Sequence, residues 1–355
     1  MRKILALVLA LSIALSLGAC GQSAPAQSST PAEQPASSAA QPDASAPEAS
    51  GKAEYIMKVG YGTNPGHPID LASNKLKELV EERSGGRIEV QLYPASQLGS
   101  ERQLVEGLMA GTIECTPTTT GPMSNFDPQY GLFDLPYLFA SKEKAYEVLD
   151  GPIGTGLLEG LDSLGLVGAA WWETGWRELS NDKHEIVTPA DVKGLKIRVM
   201  ENEVHLAFFQ SLGAVPTPMG FGEIYMAAKT KTIDGQDNPT SIFTVNNFFE
   251  VQKYLTINDY VYSPVVVLFS KQWFDTLPED LQKICSDTAY ELREYQRQAV
   301  SDLDEEYLQT CKDNGVQITV LTEEQKKPWQ EAAQAIYPQF ADKIGKELLD
   351  SVINA

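Results

Sequence analysis

The stretch Gly194–Pro239, GLKIRVMENEVHLAFFQSLGAVPTPMGFGEIYMAAKTKTIDGQDNP, decides the fold. It opens with a short strand in which Leu195, Ile197 and Val199 face a core, while Lys196, Arg198 and Met200 point the other way. A helical stretch follows. Ala214-Val215-Pro216-Thr217-Pro218 comes next, and its two prolines forbid a helix. The segment closes on Asp234-Gly235-Gln236-Asp237-Asn238-Pro239, a run so polar that it reads as a turn. Strands near Lys196, Val215 and Ile233, separated by helices, define an α/β unit. Arg198 therefore sits at the end of a strand, facing away from the core. Such a site suits a guanidinium that grips a carboxylate through two parallel, charge-assisted hydrogen bonds. Taken alone, a strand arginine is more often a surface residue or one half of an ion pair.

An earlier unit repeats the pattern. Tyr55–Gly60 reads as a strand, and Ile69–Arg83 has helical spacing that stops at Gly85-Gly86. Arg87–Leu92 alternates as a second strand, Ser100 caps a helix to Ala110, and Ile113–Thr116 is a third strand. Strands alternating with helices imply a mostly parallel sheet covered on both faces. After Pro278 no proline or glycine interrupts until Gly315. Leu281, Ile284, Ala289, Leu292, Tyr295, Val300, Leu303, Tyr307 and Leu308 keep near-helical spacing across that stretch. This predicts a rod of roughly 50 Å, longer than one unit is wide, so it is expected to run across both.

The first residues have the form of an export signal. Arg2 and Lys3 precede the apolar Ile4–Leu17, and Leu17-Gly18-Ala19-Cys20 is a small-residue cleavage site, so 1–19 is removed. A cysteine at this position resembles a bacterial lipoprotein box, in which Cys20 becomes the lipidated first residue. The other reading is an ordinary secretory signal that ends near a cysteine. From Cys20 to Lys52 the chain is mostly Ser, Ala, Pro, Gln and Gly, which cannot bury enough surface to fold; it is expected to be a tether reaching about 30 Å. The formal net charge is −20, made two units more negative when Arg2 and Lys3 leave. That excludes a nucleic-acid partner, which calls for basic patches. It also means that any anionic ligand must be captured by a few local positive groups.

In order along the chain, KIRV (Lys196–Val199), LGAVPTPM (Leu212–Met219), EIY (Glu223–Tyr225) and DGQDNP (Asp234–Pro239) resemble the solute-binding proteins of TRAP transporters, often called C4-dicarboxylate-binding. The likeness extends over roughly 55–341. It implies an α/β, two-lobed periplasmic-binding-protein-like fold with a ligand cleft between the lobes and a long helix spanning both. Counted from it, lobe I comprises 53–174 plus 264–303, and lobe II 175–263 plus 304–355. Arg198 takes the place of the family's carboxylate clamp, and Arg177 in WWETGWR (Trp171–Arg177) resembles its second arginine. Asn238 matches the asparagine of the family's turn motif, whose usual Glu is here Asp237. Phe221 aligns with an aromatic of the pocket, although an aromatic before a helix is usually core. Trp172 is expected to pack on the ligand's apolar side; the whole Trp-rich cluster could equally be a buried aromatic patch. Thr119, in Thr118-Thr119-Thr120-Gly121-Pro122, falls where the family's sialic-acid binders carry an acidic residue. Threonine cannot form a salt bridge, so a small organic acid or sugar acid is favoured, though the run also reads as a plain polar loop.

The resemblance makes the chain an extracytoplasmic carrier, periplasmic or lipid-anchored at the membrane's outer face. It passes a small organic acid anion to TRAP permease subunits in the membrane, and it is not an enzyme. Residue patterns agree with that exclusion. His67, His184 and His205 show no metal-binding spacing, no CxxC or GxSxG occurs, and Gly60–Gly66 has the wrong spacing for a dinucleotide loop. No cofactor or metal is expected. Two rival functions stay open: an accessory that presents its ligand to a membrane sensor, and an exported enzyme acting on organic acids. Which acid is bound does not follow from the sequence.

Overall fold

The computed structural model describes residues 53–354. The signal, Cys20 and the tether lie outside them. Nine strands form one mixed sheet in the order β2-β1-β3-β8-β4-β7-β5-β6. In it, β1 is Tyr55–Gly60, β2 Ile88–Tyr93, β3 Cys115–Thr119, β4 Leu166–Asn181, β5 Lys196–Val199, β6 Val215–Pro218, β7 Gly235–Asn238 and β8 Tyr254–Ser270. The ninth strand, β9 (Gln317–Val320), pairs with the start of β8.

The two lobes follow from this order. Strands β1–β3 run parallel to one another and join β8 at its far end, Val265–Phe269. Strands β5–β7 are likewise parallel, and they join β4 at its far end, Glu178–Asn181. Between them only the long antiparallel pair β4–β8 continues, from Leu166↔Ser270 to Asn181↔Tyr254. The sheet is thus mixed, not mostly parallel. Each lobe has the expected parallel strands, but the two crossing strands reverse direction.

Local chemistry accounts for most boundaries. Helix α1 (Pro68–Arg83) begins with proline, capped by His67, and ends before Gly85 and Gly86, both at positive φ. Helix α2 (Glu101–Met109) carries the capping box of Ser100 and Gln103. Strand β3 runs to Thr119, further than its apolar residues indicate. Asp234–Pro239 is not a turn: Gly235–Asn238 is the fully buried strand β7, set between β4 and β5. Its side chains tolerate burial because each finds a polar partner from a distant segment, as described below.

The helix Glu279–Asp313 is 35 residues long, about 52 Å. Near its middle it crosses β4 at the irregularity between Glu173 and Gly175. There Gln296 accepts from Glu173 N at 2.9 Å and donates to Glu173 O at 2.7 Å, and Arg297 binds Asp150. Tyr295, expected on the inner face, is exposed, while Gln296 and Arg297 are buried. The reason is that the helix meets free peptide groups of a bulged strand, which need hydrogen bonds that tyrosine at this angle does not supply. Cys115, Cys285 and Cys311 are buried free thiols.

Candidate functional site

A cavity lies where the two sets of parallel strands face each other. Its walls come from the segment after β1, the start of α2, and strands β3, β4, β5, β7 and β8. The open space between these residues, mouth included, is about 470 Å³. Arg198, Arg177, Asn238, Phe221 and Thr119 all line it. These residues lie as much as 119 positions apart in the chain, between Thr119 and Asn238. The fold brings five of the six expected contacts together.

Trp172 is the sixth, and it is not there. It is fully buried in the core beside Val265 and Ala289, and its indole donates to Ala289 O of the long helix at 3.1 Å. The irregular register of β4 sends Thr174 and Arg177 to the cavity instead. A large amphipathic ring is satisfied by an apolar pocket with one carbonyl, so it serves the helix contact.

Arg198 is only 3 % exposed. Its Nε and Nη2 both donate to Met219 O, at 3.1 and 2.8 Å. That use of one edge leaves Nη1 and the outer Nη1–Nη2 edge without a protein partner. Among the described residues no carboxylate lies within ion-pair distance of it. Burial pulls its pKa down to about 10, Asp237 offsets part of this, and the neighbouring Arg177 adds to the fall. Arg198 is neither a surface residue nor one half of an ion pair, as a lone strand arginine ordinarily would be. It is a desolvated cation whose charge is incompletely compensated.

Arg177 is equally buried but differently placed. Its Nε donates to Asp237 Oδ2 at 2.7 Å, and Nη2 donates to Asp237 O and to Asn238 Oδ1. Burial alone would lower its pKa, yet the Asp237 carboxylate more than offsets this and the group ends above its usual range. Asn238 is oriented from both sides, accepting from Arg177 and donating to Gln236 Oε1 at 2.6 Å. Phe221 forms an edge-to-face pair with Phe248. Thr119 donates its N–H and its hydroxyl to the two carboxylate oxygens of Glu101, each at 3.0 Å.

Behind Arg177 lies a buried network absent from the sequence reading. Tyr260 donates its hydroxyl to Asp237. His205 Nε2 sits 3.2 Å from Asp134 Oδ1, and its Nδ1 sits 3.3 Å from Asp237 Oδ2 without hydrogen-bond geometry. Burial would discharge this imidazole, but the two carboxylates outweigh it and hold its pKa above the ordinary 6.5. Asp237 is held below its ordinary 3.8: burial raises it, and Arg177 and His205 prevail. Glu101 was also missed; burial lifts its pKa despite the Thr119 donors and the two arginines. A Glu directly after an N-cap serine ordinarily signals only a helix start.

A two-lobed molecule with a cavity between its lobes, holding an incompletely compensated buried cation, is a ligand-binding protein of the bilobal kind. The chain belongs to the bacterial extracellular solute-binding proteins of family 7, the DctP family, whose model matches residues 59–343. It is 34 % identical over 301 residues to the 2,3-diketo-L-gulonate-binding periplasmic protein of Escherichia coli, covering 85 % of this chain and 88 % of that one. Among solved structures it is similar to the sugar acid binding protein of Advenella mimigardefordensis in complex with galactonate, with a TM-score of 0.82 and 38 % identity over 84 % of this chain and 96 % of the other. A TRAP periplasmic solute-binding protein from Sulfurospirillum deleyianum with bound succinate superposes with a TM-score of 0.81 at 33 % identity, covering 84 % and 98 %.

Proposed function

We propose that this protein captures a small carboxylate-bearing solute outside the cytoplasm and hands it to an ion-gradient-driven TRAP permease. One observation carries the reading: Arg198 is buried with an unused guanidinium edge and no acidic partner. A buried charge without a counterion is costly, and a ligand carboxylate completes it with two parallel hydrogen bonds. Arg177, anchored by Asp237, lines the same cavity and adds a second positive charge there, and Asn238 adds a neutral contact. The lobes, 53–174 with 264–303 and 175–263 with 304–355, meet at the middle of β4 and β8. Ligand-bridged closure about those strands is the proposed capture step. No bond is made or broken.

A thermal-shift screen of organic and sugar acids checks this. A ligand at 100 times its dissociation constant adds about 2.7 kcal/mol of stability, and the bound acid is expected to be recovered chemically unchanged. An altered ligand recovered from pure protein would turn the reading toward an enzyme. We also propose that a lipid on Cys20 holds the protein at the membrane, on the strength of the Leu17–Cys20 box and the polar run after it. Cys20→Ser is expected to release the protein from membrane fractions; unchanged retention would remove the anchor.

A further inference from the structure

The two crossing strands have a second face. In β4, Arg177 turns into the cavity and its neighbour Trp176 turns the opposite way, as successive strand residues do. There Trp176 and Asp259 of β8 form the floor of a groove that shares no residue with the cavity. One wall is the segment 137–143, counted with lobe I; the other is the helix Glu323–Gln334, counted with lobe II. The open space between these residues, mouth included, is about 1280 Å³, against about 470 Å³ for the cavity.

The two openings are in opposite conditions. At the cavity the lobes touch: a Cβ on Gly62 would lie 3.5 Å from Phe221 Cδ1, and one on Gly220 would lie 3.5 Å from Ser100 Cβ. Gly62 and Ser100 are counted with lobe I, Phe221 and Gly220 with lobe II. Arg198 inside is only 3 % exposed, so the cavity is shut. Across the groove the walls stand apart. Among the described residues no hydrogen bond or ion pair joins 138–143 to 323–334. Lys142 turns instead to Asp304 and Glu173, and Lys326 to Asp259 and Glu323. The floor also holds two candidate pivots. Tyr137 (φ 58°) and Asp259 (φ 48°) are left-handed without being glycine. Such residues are strained, and a hinge is a few positions that absorb large φ/ψ changes.

We infer that the groove is a counter-cleft that sets the balance between open and closed forms, so that side chains on its walls tune affinity without touching the solute; this rests on lobe closure in the reading above. Lobes that turn about strands lying between cavity and groove cannot shut one without spreading the other. The groove is therefore wide in the closed form and narrow in the open one. Bulk placed in it crowds the open form alone. In a protein that closes on its ligand, the unliganded closed form is a minor state of about 0.1–10 %. Apparent affinity is the intrinsic affinity reduced by that fraction. Raising the fraction tightens binding of any solute the cavity accepts.

Ala140 and Gln334, exposed and on opposite walls, are the places to test this. Ala140→Trp and Gln334→Trp each put an indole into the groove. Glu331→Trp puts the same ring on an exposed position of the helix that does not line it. Small-angle scattering without solute reads closure, and calorimetric titration with galactonate reads affinity. Both groove variants are expected to be more compact than the wild type and to bind galactonate about 10-fold or more tightly. Glu331→Trp is expected to match the wild type in both. Groove variants no more compact than the wild type overturn the inference, whether because the indoles do nothing or because the unliganded wild type is already closed. Compaction without tighter binding of a solute that the wild type binds overturns it too, as does an equal effect of Glu331→Trp. If neither galactonate nor any acid in a broad screen binds the wild type, the carboxylate reading falls, while scattering still decides the groove.

Discussion

Arg198→Ala is expected to abolish tight binding of the acid found by screening. Truncating one partner of a desolvated, bidentate charge pair costs about 2–5 kcal/mol, or roughly 30- to several-thousand-fold in affinity. Arg198→Lys should bind poorly too. Arg198 gives one guanidinium edge to Met219 O and leaves the other without a protein partner, which in the proposed reading receives the ligand. An ammonium has no second planar edge, so it cannot do both in that geometry. Ligand-free stability should change little, but not because the side chain is solvated. Removing it relieves a buried cation and leaves one carbonyl, Met219 O, without its donors; the two effects oppose each other. The unfolding midpoint should therefore stay within roughly 4 °C of wild type. Calorimetry on both variants decides: wild-type affinity in a folded Arg198→Ala protein would remove the clamp.

Asp237→Ala is expected to produce the largest loss of stability. Asp237 faces Arg177 at 2.7 Å and His205 at 3.3 Å, and it accepts from Tyr260, all out of contact with water. Deleting it leaves a buried guanidinium uncompensated, which typically costs about 3–5 kcal/mol and lowers the unfolding midpoint by about 5–8 °C. The pH dependence follows from the directions of the shifts. Asp237 has its pKa depressed in the fold, so its stabilisation is complete above its ordinary 3.8 and fades as pH falls toward the folded value. His205 has its pKa raised, so its contribution is complete below 6.5 and is lost as pH rises through the raised folded value. Stability should thus decline at both ends; His205→Gln should flatten the alkaline limb and make the acid limb shallower, since His205 helps hold Asp237 down while Arg177 remains. Denaturant unfolding measured from pH 2 to pH 9 checks both; an Asp237→Ala protein as stable as wild type would show the network to be incidental.

How far the sequence could be read depended on the kind of information each residue carried. Alternation in Leu195–Met200 placed Arg198 opposite the core, since a strand presents successive residues to opposite faces. An uninterrupted apolar period from Leu281 likewise announced the long helix, and proline with glycine marked its ends. The sequence places a strand near Ile233, two residues before β7 begins, and the residues of β7 itself read as a turn. Gly-Gln-Asp-Asn carries no apolar alternation, and only its neighbours make it a strand. Trp172 was misplaced because a tryptophan five positions before an arginine fits a ligand wall and a helix contact equally well.

Periodicity and turn chemistry are local, so the chain alone determined two α/β units, a rod to brace them and an arginine turned away from the core. Distance in the chain hid the rest. Arg177 meets Asp237 across 60 positions, His205 meets Asp134 across 71, and Thr119 holds Glu101 across 18. Whether a buried charge is paired or left open depends on which far segments arrive beside it. Only the packed structure decided that Arg177 would be neutralised by its own chain while Arg198 would not. That difference is electrostatic: Arg177 is anchored to Asp237, and Arg198 keeps one guanidinium edge without a partner.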